Sequence, residues 1–200
     1  EGHIHTHETG AIEATGHQLL IAKDVDGKLT PDSIRAVLAA QMPIHATQPK
    51  LVYLSQPTEW GTVYTRSELS ALHALCREAG LLLYLDGARL GCALAAQPDV
   101  SLPFLARVCD AFYIGGTKNG ALFGEALVFT DPALCRGFDY LRKQRGGLLA
   151  KGRLLGAQFE ALFTDGLYTQ LGAHANAMAR RLQDGILAAG YPLLAPSATN

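Results

Sequence analysis

Four short apolar runs are spread along the chain, and each is bounded by glycine or polar residues. They occupy residues 51–55, 81–86, 111–115 and 124–129, and runs of this length are typical of buried strands. Residues 67–79 instead place Leu69, Leu72, Leu75 and Cys76 on one helical stripe, which Gly80 is suited to end. The alternation of strand and helix predicts an α/β fold, a three-layer, mostly parallel sheet with helices on both faces.

Other helices are predicted where a capping residue precedes proline, or where apolar positions recur every three or four residues. They cover about residues 31–42, 89–96, 101–109, 131–144, 148–163 and 167–189. A further strand is predicted at residues 17–22. We expect residues 1–189 to form one large domain and residues 190–200 to begin a second one.

Composition narrows the classes of function. The 200 residues are 48% hydrophobic with a net charge of −1, which predicts a sizeable core and offers no electrostatic basis for binding nucleic acid or a membrane surface. No apolar run approaches the ~18 residues that suggest a membrane span. The four cysteines are widely spaced, without a Cys-x-x-Cys pair, which favours reduced core thiols in a cytoplasmic protein.

Lys118 stands in a turn between two of the apolar runs, directly after Gly115, Gly116 and Thr117. Glycines there allow a ligand to approach the backbone closely, and a desolvated lysine is suited to form a Schiff base with an aldehyde cofactor. A solvent-facing lysine in a hairpin loop is the alternative at this point.

Asp86 ends another apolar run, 32 residues before Lys118. Ligands of open α/β sheets collect at the carboxyl ends of the strands, and a carboxylate there is suited to hold the protonated ring nitrogen of pyridoxal phosphate. Asp86 alone could equally cap the helix that follows. Together, the two residues favour a pyridoxal-phosphate site.

Two motifs carry a family resemblance. They are Leu85-Asp86-Gly87-Ala88-Arg89 and Gly116-Thr117-Lys118-Asn119-Gly120, with His3 and Glu8 upstream. In this order and spacing they resemble the threonine aldolase branch of the pyridoxal-phosphate β-eliminating lyases, over about residues 3–189. The resemblance implies the large domain of the aspartate aminotransferase fold, with chain before His3 and a small domain after residue 200. It also implies cleavage of a β-hydroxy amino acid such as threonine to glycine and an aldehyde.

The resemblance also implies roles for single residues. Lys118 would hold the cofactor and Asp86 its ring nitrogen, while Arg89 would lie near the ring oxygen or the substrate carboxylate. His3 would stack on the ring and take part in proton transfer, and Glu8 would orient its neighbours. The remaining predicted cofactor-binding residues are Thr117, Lys151 and Arg153, the last two reaching the cofactor phosphate of a neighbouring subunit. The resemblance further implies a homodimer or homotetramer with sites at the interface.

Glu59 stands where better-known members of that family carry a histidine near the substrate. Its carboxylate is a candidate base for the substrate hydroxyl, with an exposed loop glutamate as the alternative. Trp60, the only tryptophan, would wall the pocket or pack at a subunit contact.

Three other functions stay open on the sequence. The same scaffold would support β-elimination from a different amino acid. From another class, a metal-dependent hydrolase would use His3 and His5, which share a face with His7 if that segment is extended. No carboxylate or further histidine motif completes such a site, so we predict no metal. The third is a noncatalytic remnant that associates without binding cofactor.

Overall fold

The computed structural model describes residues 2–40 and 43–199. Its centre is a sheet of four neighbouring strands in chain order: β1 (Leu51–Ser55), β2 (Leu82–Asp86), β3 (Ala111–Gly115) and β4 (Glu125–Phe129). The first three strands are parallel and β4 is antiparallel to β3. The prediction of an α/β fold with a mostly parallel sheet is confirmed.

Eight α-helices accompany the strands in the described parts of the chain. They are α1 (His3–Thr6), α2 (Pro31–Ala39), α3 (Arg66–Ala79), α4 (Leu90–Ala96), α5 (Leu102–Val108), α6 (Phe138–Gln144), α7 (Arg153–Phe163) and α8 (Leu167–Ala188). Short 3₁₀ turns lie at Glu13–Thr15, Pro132–Cys135 and Thr164–Gly166. No helix in these described parts is long and apolar enough to cross a membrane.

Local chemistry explains where the best-defined helices begin and end. The side chains of Thr30 and Thr65 each accept a hydrogen bond from a backbone N–H in the first turn of the helix. The side chain three residues later, Ser33 or Glu68, accepts one from the backbone N–H of the capping threonine, which completes a capping box. Helix α3 ends at Gly80, whose φ of 64° is the left-handed conformation that glycine adopts without steric cost.

The two faces of the sheet differ in polarity, because side chains alternate along each strand. One face is apolar and buried and packs against the predicted stripe of α3; its side chains are Val52, Leu54, Leu83, Leu85, Phe112 and Ile114. The other face carries Tyr53, Ser55, Tyr84, Asp86 and Tyr113. Polar chemistry is therefore confined to one side of the sheet.

Several expectations from the sequence differ from the structure. Residues 17–22 form no strand, since no strand in the described parts of the chain pairs with them. The predicted helix 131–144 is interrupted at Gly137, whose φ is 79°, so α6 starts only at Phe138. The segment with the first histidines is helical rather than extended. The expected end of α2 at Met42 lies outside the described residues; the helix is described to Ala39.

Helices α4 and α8 cross with their backbones almost in contact. A Cβ atom built on Gly172 would lie 2.2 Å from the carbonyl carbon and oxygen of Gly91, and one built on Gly91 would lie 2.2 Å from Asn119 Oδ1. Glycine is needed at both positions, because a side chain on Gly172 would force the helices apart and one on Gly91 would displace the buried Asn119. This crossing brings α8 against the turn that carries Lys118.

Candidate active site

A small cleft opens at the carboxyl ends of β1, β2 and β3, where ligands of parallel sheets usually bind. Its volume is about 60 Å³. It is lined by His3, Glu8, Ser55, Pro57, Glu59, Asp86, Ala88, Arg89, Tyr113 and Lys118. Five of the predicted site residues thus meet in one place, although they come from four separate parts of the chain.

Asp86 is the buried anion of this cleft and is only 7% exposed. Its Oδ1 accepts a hydrogen bond of 2.9 Å from the backbone N–H of Ala88. Its Oδ2 accepts a hydrogen bond from the hydroxyl of Tyr53 on the neighbouring strand. Both oxygens therefore have a donor, which orients the carboxylate.

Lys118 lies in the turn between β3 and β4, and its neighbours fix that turn from both sides. The N–H of Gly116 donates to Glu125 Oε2 at 2.5 Å. Asn119 is buried and donates through Nδ2 to the carbonyl of Tyr168 in α8 at 2.9 Å. Lys118 itself is exposed towards the cleft instead of desolvated between strands. The turn, and not burial, sets its position.

His3 belongs to the short first helix and is paired with Glu8, because Nδ1 lies 2.8 Å from Glu8 Oε1. The ring of His7 packs on His3 with centroids 4.7 Å apart, as expected for residues four apart on a helix. The helical backbone removes the shared strand face on which a metal site with His5 depended. In residues 2–40 and 43–199, no group of three or more His, Cys, Asp or Glu side chains is arranged to hold a metal ion.

Glu59 lies at the cleft on the exposed loop after β1. Hydrogen bonds between Thr58 and Thr62 close this loop, with Oγ1 to Oγ1 at 2.7 Å and backbone N–H to carbonyl at 2.9 Å. The carbonyl of Gly61 accepts from the Thr199 hydroxyl at 3.0 Å, which ties the loop to the last described segment. Trp60, next to Glu59, is 46% exposed and does not line the cleft.

Arg89 is half-buried at the start of α4 and lines the cleft. Thr117 is exposed in the turn beside Lys118, outside the lining. Lys151 and Arg153 are exposed at the start of α7 and do not reach the cleft within this chain. Their predicted contact with the phosphate of a neighbouring subunit stays a prediction.

Two features of the site escaped the sequence analysis. Tyr53 and Tyr113 flank Asp86, and Ser55 Oγ is buried in the cleft without a hydrogen-bond partner among the described residues. A signal did exist, since Tyr53, Ser55, Tyr84, Asp86 and Tyr113 alternate with apolar residues on their strands. Choosing among them required the register, which pairs Ser55 with Asp86.

The residues of the cleft fit pyridoxal phosphate by their chemistry. An amine, a buried carboxylate with both oxygens already fixed, and a guanidinium converge in one place. Ser55 Oγ adds a buried hydroxyl whose hydrogen-bonding capacity is unused. Buried polar atoms are rarely left without a partner, so a polar ligand is expected to approach Ser55.

Comparison with known proteins agrees with this geometry. The profile of the family described as Beta-eliminating lyase matches residues 1–200. A low specificity L-threonine aldolase from a Pseudomonas species is 42% identical over 184 residues, which are 90% of this chain and 53% of that protein. The chain therefore spans about half the length of the curated relatives it matches.

Solved structures show the same relationship. A threonine aldolase structure from Leishmania major superposes with a TM-score of 0.96 at 52% identity, covering 100% of this chain and 58% of that one. A C-S lyase from Staphylococcus hominis, solved with pyridoxal phosphate bound, superposes with a TM-score of 0.64 at 14% identity over 89% of this chain and 46% of its own, which shows a shared fold. Because the family profile covers the whole chain and the Pseudomonas relative is well above 30% identical, the chain belongs to the β-eliminating lyase family.

Proposed function

We propose that the protein is a pyridoxal-phosphate lyase that cleaves the Cα–Cβ bond of a β-hydroxy amino acid such as L-threonine, giving glycine and an aldehyde. The observation that carries the proposal is the meeting of Lys118 and Asp86 in one cleft at the carboxyl ends of parallel strands. The relatives named as threonine aldolases support the choice of reaction.

Pyridoxal phosphate supplies an aldehyde that combines with amines and a ring that withdraws electrons from the Cα of an amino acid. Lys118 would hold the aldehyde, since its amine projects from a fixed turn into the cleft. Asp86 would face the ring nitrogen and hydrogen-bond to its proton, because donors on both oxygens orient this buried carboxylate. Arg89 would bind a carboxylate, the role for which a guanidinium is best suited.

Breaking the Cα–Cβ bond needs a base at the β-hydroxyl group, and His3 and Glu59 are the two candidates in the cleft. Glu8 lies 2.8 Å from His3 Nδ1, so a proton held between them leaves His3 Nε2 as the acceptor. Glu59 is an exposed carboxylate at the same cleft. The base removes the hydroxyl proton as the Cα–Cβ bond breaks, and the released electron pair passes to Cα, which is then reprotonated.

The oligomeric state belongs to the same proposal. We infer a homo-oligomer in which Lys151 and Arg153 approach a neighbouring site, since both side chains are exposed and cationic but lie outside their own cleft. Lys118 and Arg89 are the lysine and arginine side chains of the described cleft, so a cation from the neighbouring subunit would add positive charge opposite the cofactor phosphate.

The test uses the full-length protein, its Lys118→Ala variant and a matched Lys143→Ala control, an exposed lysine on α6 outside the cleft. Each is incubated with pyridoxal phosphate, and the visible spectrum is followed before and after L-threonine is added. We expect a bound-cofactor band in the parent and the control that is absent without Lys118, and formation of glycine and acetaldehyde. A band that does not depend on Lys118 would refute the assignment, and release of ammonia and a keto acid would point to β-elimination.

A further inference from the structure

Three tyrosines cross the sheet side by side on the face that carries Asp86. Tyr53, Tyr84 and Tyr113 lie on three successive parallel strands. The rings of Tyr53 and Tyr84 stack with centroids 5.4 Å apart, and those of Tyr84 and Tyr113 are 6.5 Å apart. We call these residues the tyrosine row. Asp86 is two residues beyond Tyr84 on the central strand, so its carboxylate lies at the edge of the row that faces the cleft.

The three hydroxyl groups differ in their relation to Asp86. Tyr53 donates to Oδ2, whereas Tyr84 makes no hydrogen bond to Asp86 in the part of the chain that the structure describes. Burial, and then the charge of Asp86, raises the pKa of Tyr53 far above its usual 10. The same two causes raise the pKa of Tyr84 to about 12. Tyr53 is therefore a permanent donor at any physiological pH.

Fixing a carboxylate requires a donor on each oxygen, because the group otherwise rotates about its Cβ–Cγ bond. Asp86 has the backbone N–H of Ala88 on Oδ1 and the hydroxyl of Tyr53 on Oδ2. Ala88 is held in turn by the short strand-to-helix connection, in which Leu90 N–H donates to the Gly87 carbonyl at 2.9 Å. Without Tyr53, Oδ2 would lose this donor.

The other charged groups at the cleft do not take over this function. Arg89 and Lys118 both line the cleft, but neither forms an ion pair or hydrogen bond with Asp86 in the described structure. Tyr113 approaches from the third strand, and its pKa is raised by burial, then by a side-chain hydrogen bond to Asp86 and by the charge of that carboxylate. Two hydroxyls of the tyrosine row therefore reach Asp86, and that of Tyr53 makes the direct hydrogen bond to Oδ2.

We propose that Tyr53 is a positioning residue: its hydroxyl holds the Asp86 carboxylate in the orientation in which it faces the cofactor ring nitrogen. This inference rests on the proposed function for its ligand, but the contact itself belongs to the chain. Tyr53 does not line the cleft, so it acts on the ring only through Asp86. Cofactor binding and ring protonation should depend on this hydroxyl, and folding should not.

The test compares Tyr53→Phe with Tyr84→Phe in the full-length protein. Both variants lose one hydroxyl from the same row and keep the ring. Of the two tyrosines, Tyr53 is the one whose hydroxyl donates to Asp86. With Tyr53→Phe we expect the dissociation constant for pyridoxal phosphate to rise on the order of tenfold, as for other residues that orient a liganding group. The ¹⁵N resonance of the ring nitrogen should move towards that of an unprotonated pyridine. Tyr84→Phe should stay within about twofold of the parent, with an unchanged resonance.

A double-mutant cycle separates positioning from packing. In an Asp86→Asn background, Tyr53→Phe should have almost no further effect on cofactor affinity, because the group through which it acts is gone. Equal losses in Tyr53→Phe and Tyr84→Phe, or full additivity with Asp86→Asn, would overturn the proposal.

If the parent protein binds no pyridoxal phosphate, the proposed function fails and the Tyr53 contact is still tested in the cofactor-free protein. The ¹³C carboxyl resonance of Asp86 should then respond to Tyr53→Phe and not to Tyr84→Phe. No response to either substitution would discard the contact itself.

Discussion

Gly172 is the position on α8 where one added methyl group should be most damaging. A Cβ atom there would lie 2.2 Å from the carbonyl carbon and oxygen of Gly91 and 2.7 Å from the N of Cys92, whereas ordinary contact begins at 3.4 Å. Because these are backbone atoms, no rotamer relieves the clash, and the helices must separate by about 1.2 Å. We expect Gly172→Ala to lower the free energy of unfolding by about 1–3 kcal/mol, the usual cost of overpacking.

The same helix offers a matched control. Gly185 is exposed, and a Cβ atom there would meet nothing within 4 Å. Gly185→Ala should therefore stabilise the protein by roughly 0.5–1 kcal/mol, because alanine loses less conformational entropy than glycine in a helix. Urea unfolding of the full-length protein and both variants gives the two differences directly. Equal stability of the two variants would refute the backbone contact between α4 and α8.

Separation of α4 and α8 should also disturb the cleft that contains Lys118. Asn119, next to Lys118, donates to the carbonyl of Tyr168 on α8, and its side chain packs over Gly91. A shift of α8 therefore stretches this hydrogen bond of 2.9 Å. We expect Gly172→Ala to weaken cofactor binding as well as folding, whereas Gly185→Ala leaves binding unchanged.

Two further predictions concern stability. The pKa of Glu68 is lowered from its ordinary 4.5: partial burial opposes ionisation, but hydrogen bonds from Lys28 and Thr65 outweigh it. This stabilisation is complete above about pH 4.5 and is lost as the pH falls through the folded-state pKa. The melting temperature of Glu68→Gln should therefore fall less steeply with acid than that of the parent. Parallel curves of melting temperature against pH would contradict this. Asp110 is buried and accepts hydrogen bonds from Arg77 and, at 2.7 Å, from the N–H of Leu83. Asp110→Asn replaces one accepting oxygen with an NH₂ group, which faces one of these two donors. The substitution should lower the free energy of unfolding in urea by about 1–3 kcal/mol. An unchanged unfolding midpoint would show that the contacts are not made.

The sequence predicted the parts of the fold that depend on local pattern. The apolar runs at 51–55 and 111–115 became β1 and β3 with unchanged bounds, because short apolar runs bounded by turn residues favour a buried strand over a helix. The stripe of α3 and its glycine end were also confirmed. Residues 17–22 failed for the opposite reason: a strand needs a partner, and nothing in the local sequence reports whether one is near.

The candidate site was predictable to the same degree. Asp86 and Lys118 could be placed together from sequence, because the ends of parallel strands meet at one edge of a sheet. The contact between Tyr53 and Asp86 could not, since it depends on the pairing of Tyr53 with Tyr84, which a local pattern does not fix. Lys118 was expected to be desolvated, but the turn between β3 and β4 leaves it exposed to the cleft.

The position of Lys118 depends on contacts far from it in sequence. Its turn is fixed by the bond from Asn119 to Tyr168, 49 residues later, and Tyr168 in turn donates its hydroxyl to the carbonyl of Gly115 at 2.9 Å. Tyr168 is only 1% exposed, so it joins the last long helix to the end of β3. That helix can approach α4 so closely only because Gly172 lacks a side chain, and Gly91 leaves room for Asn119. A helix crossing thus positions the turn that carries Lys118, and Gly91, Gly172 and Tyr168 do not themselves line the cleft.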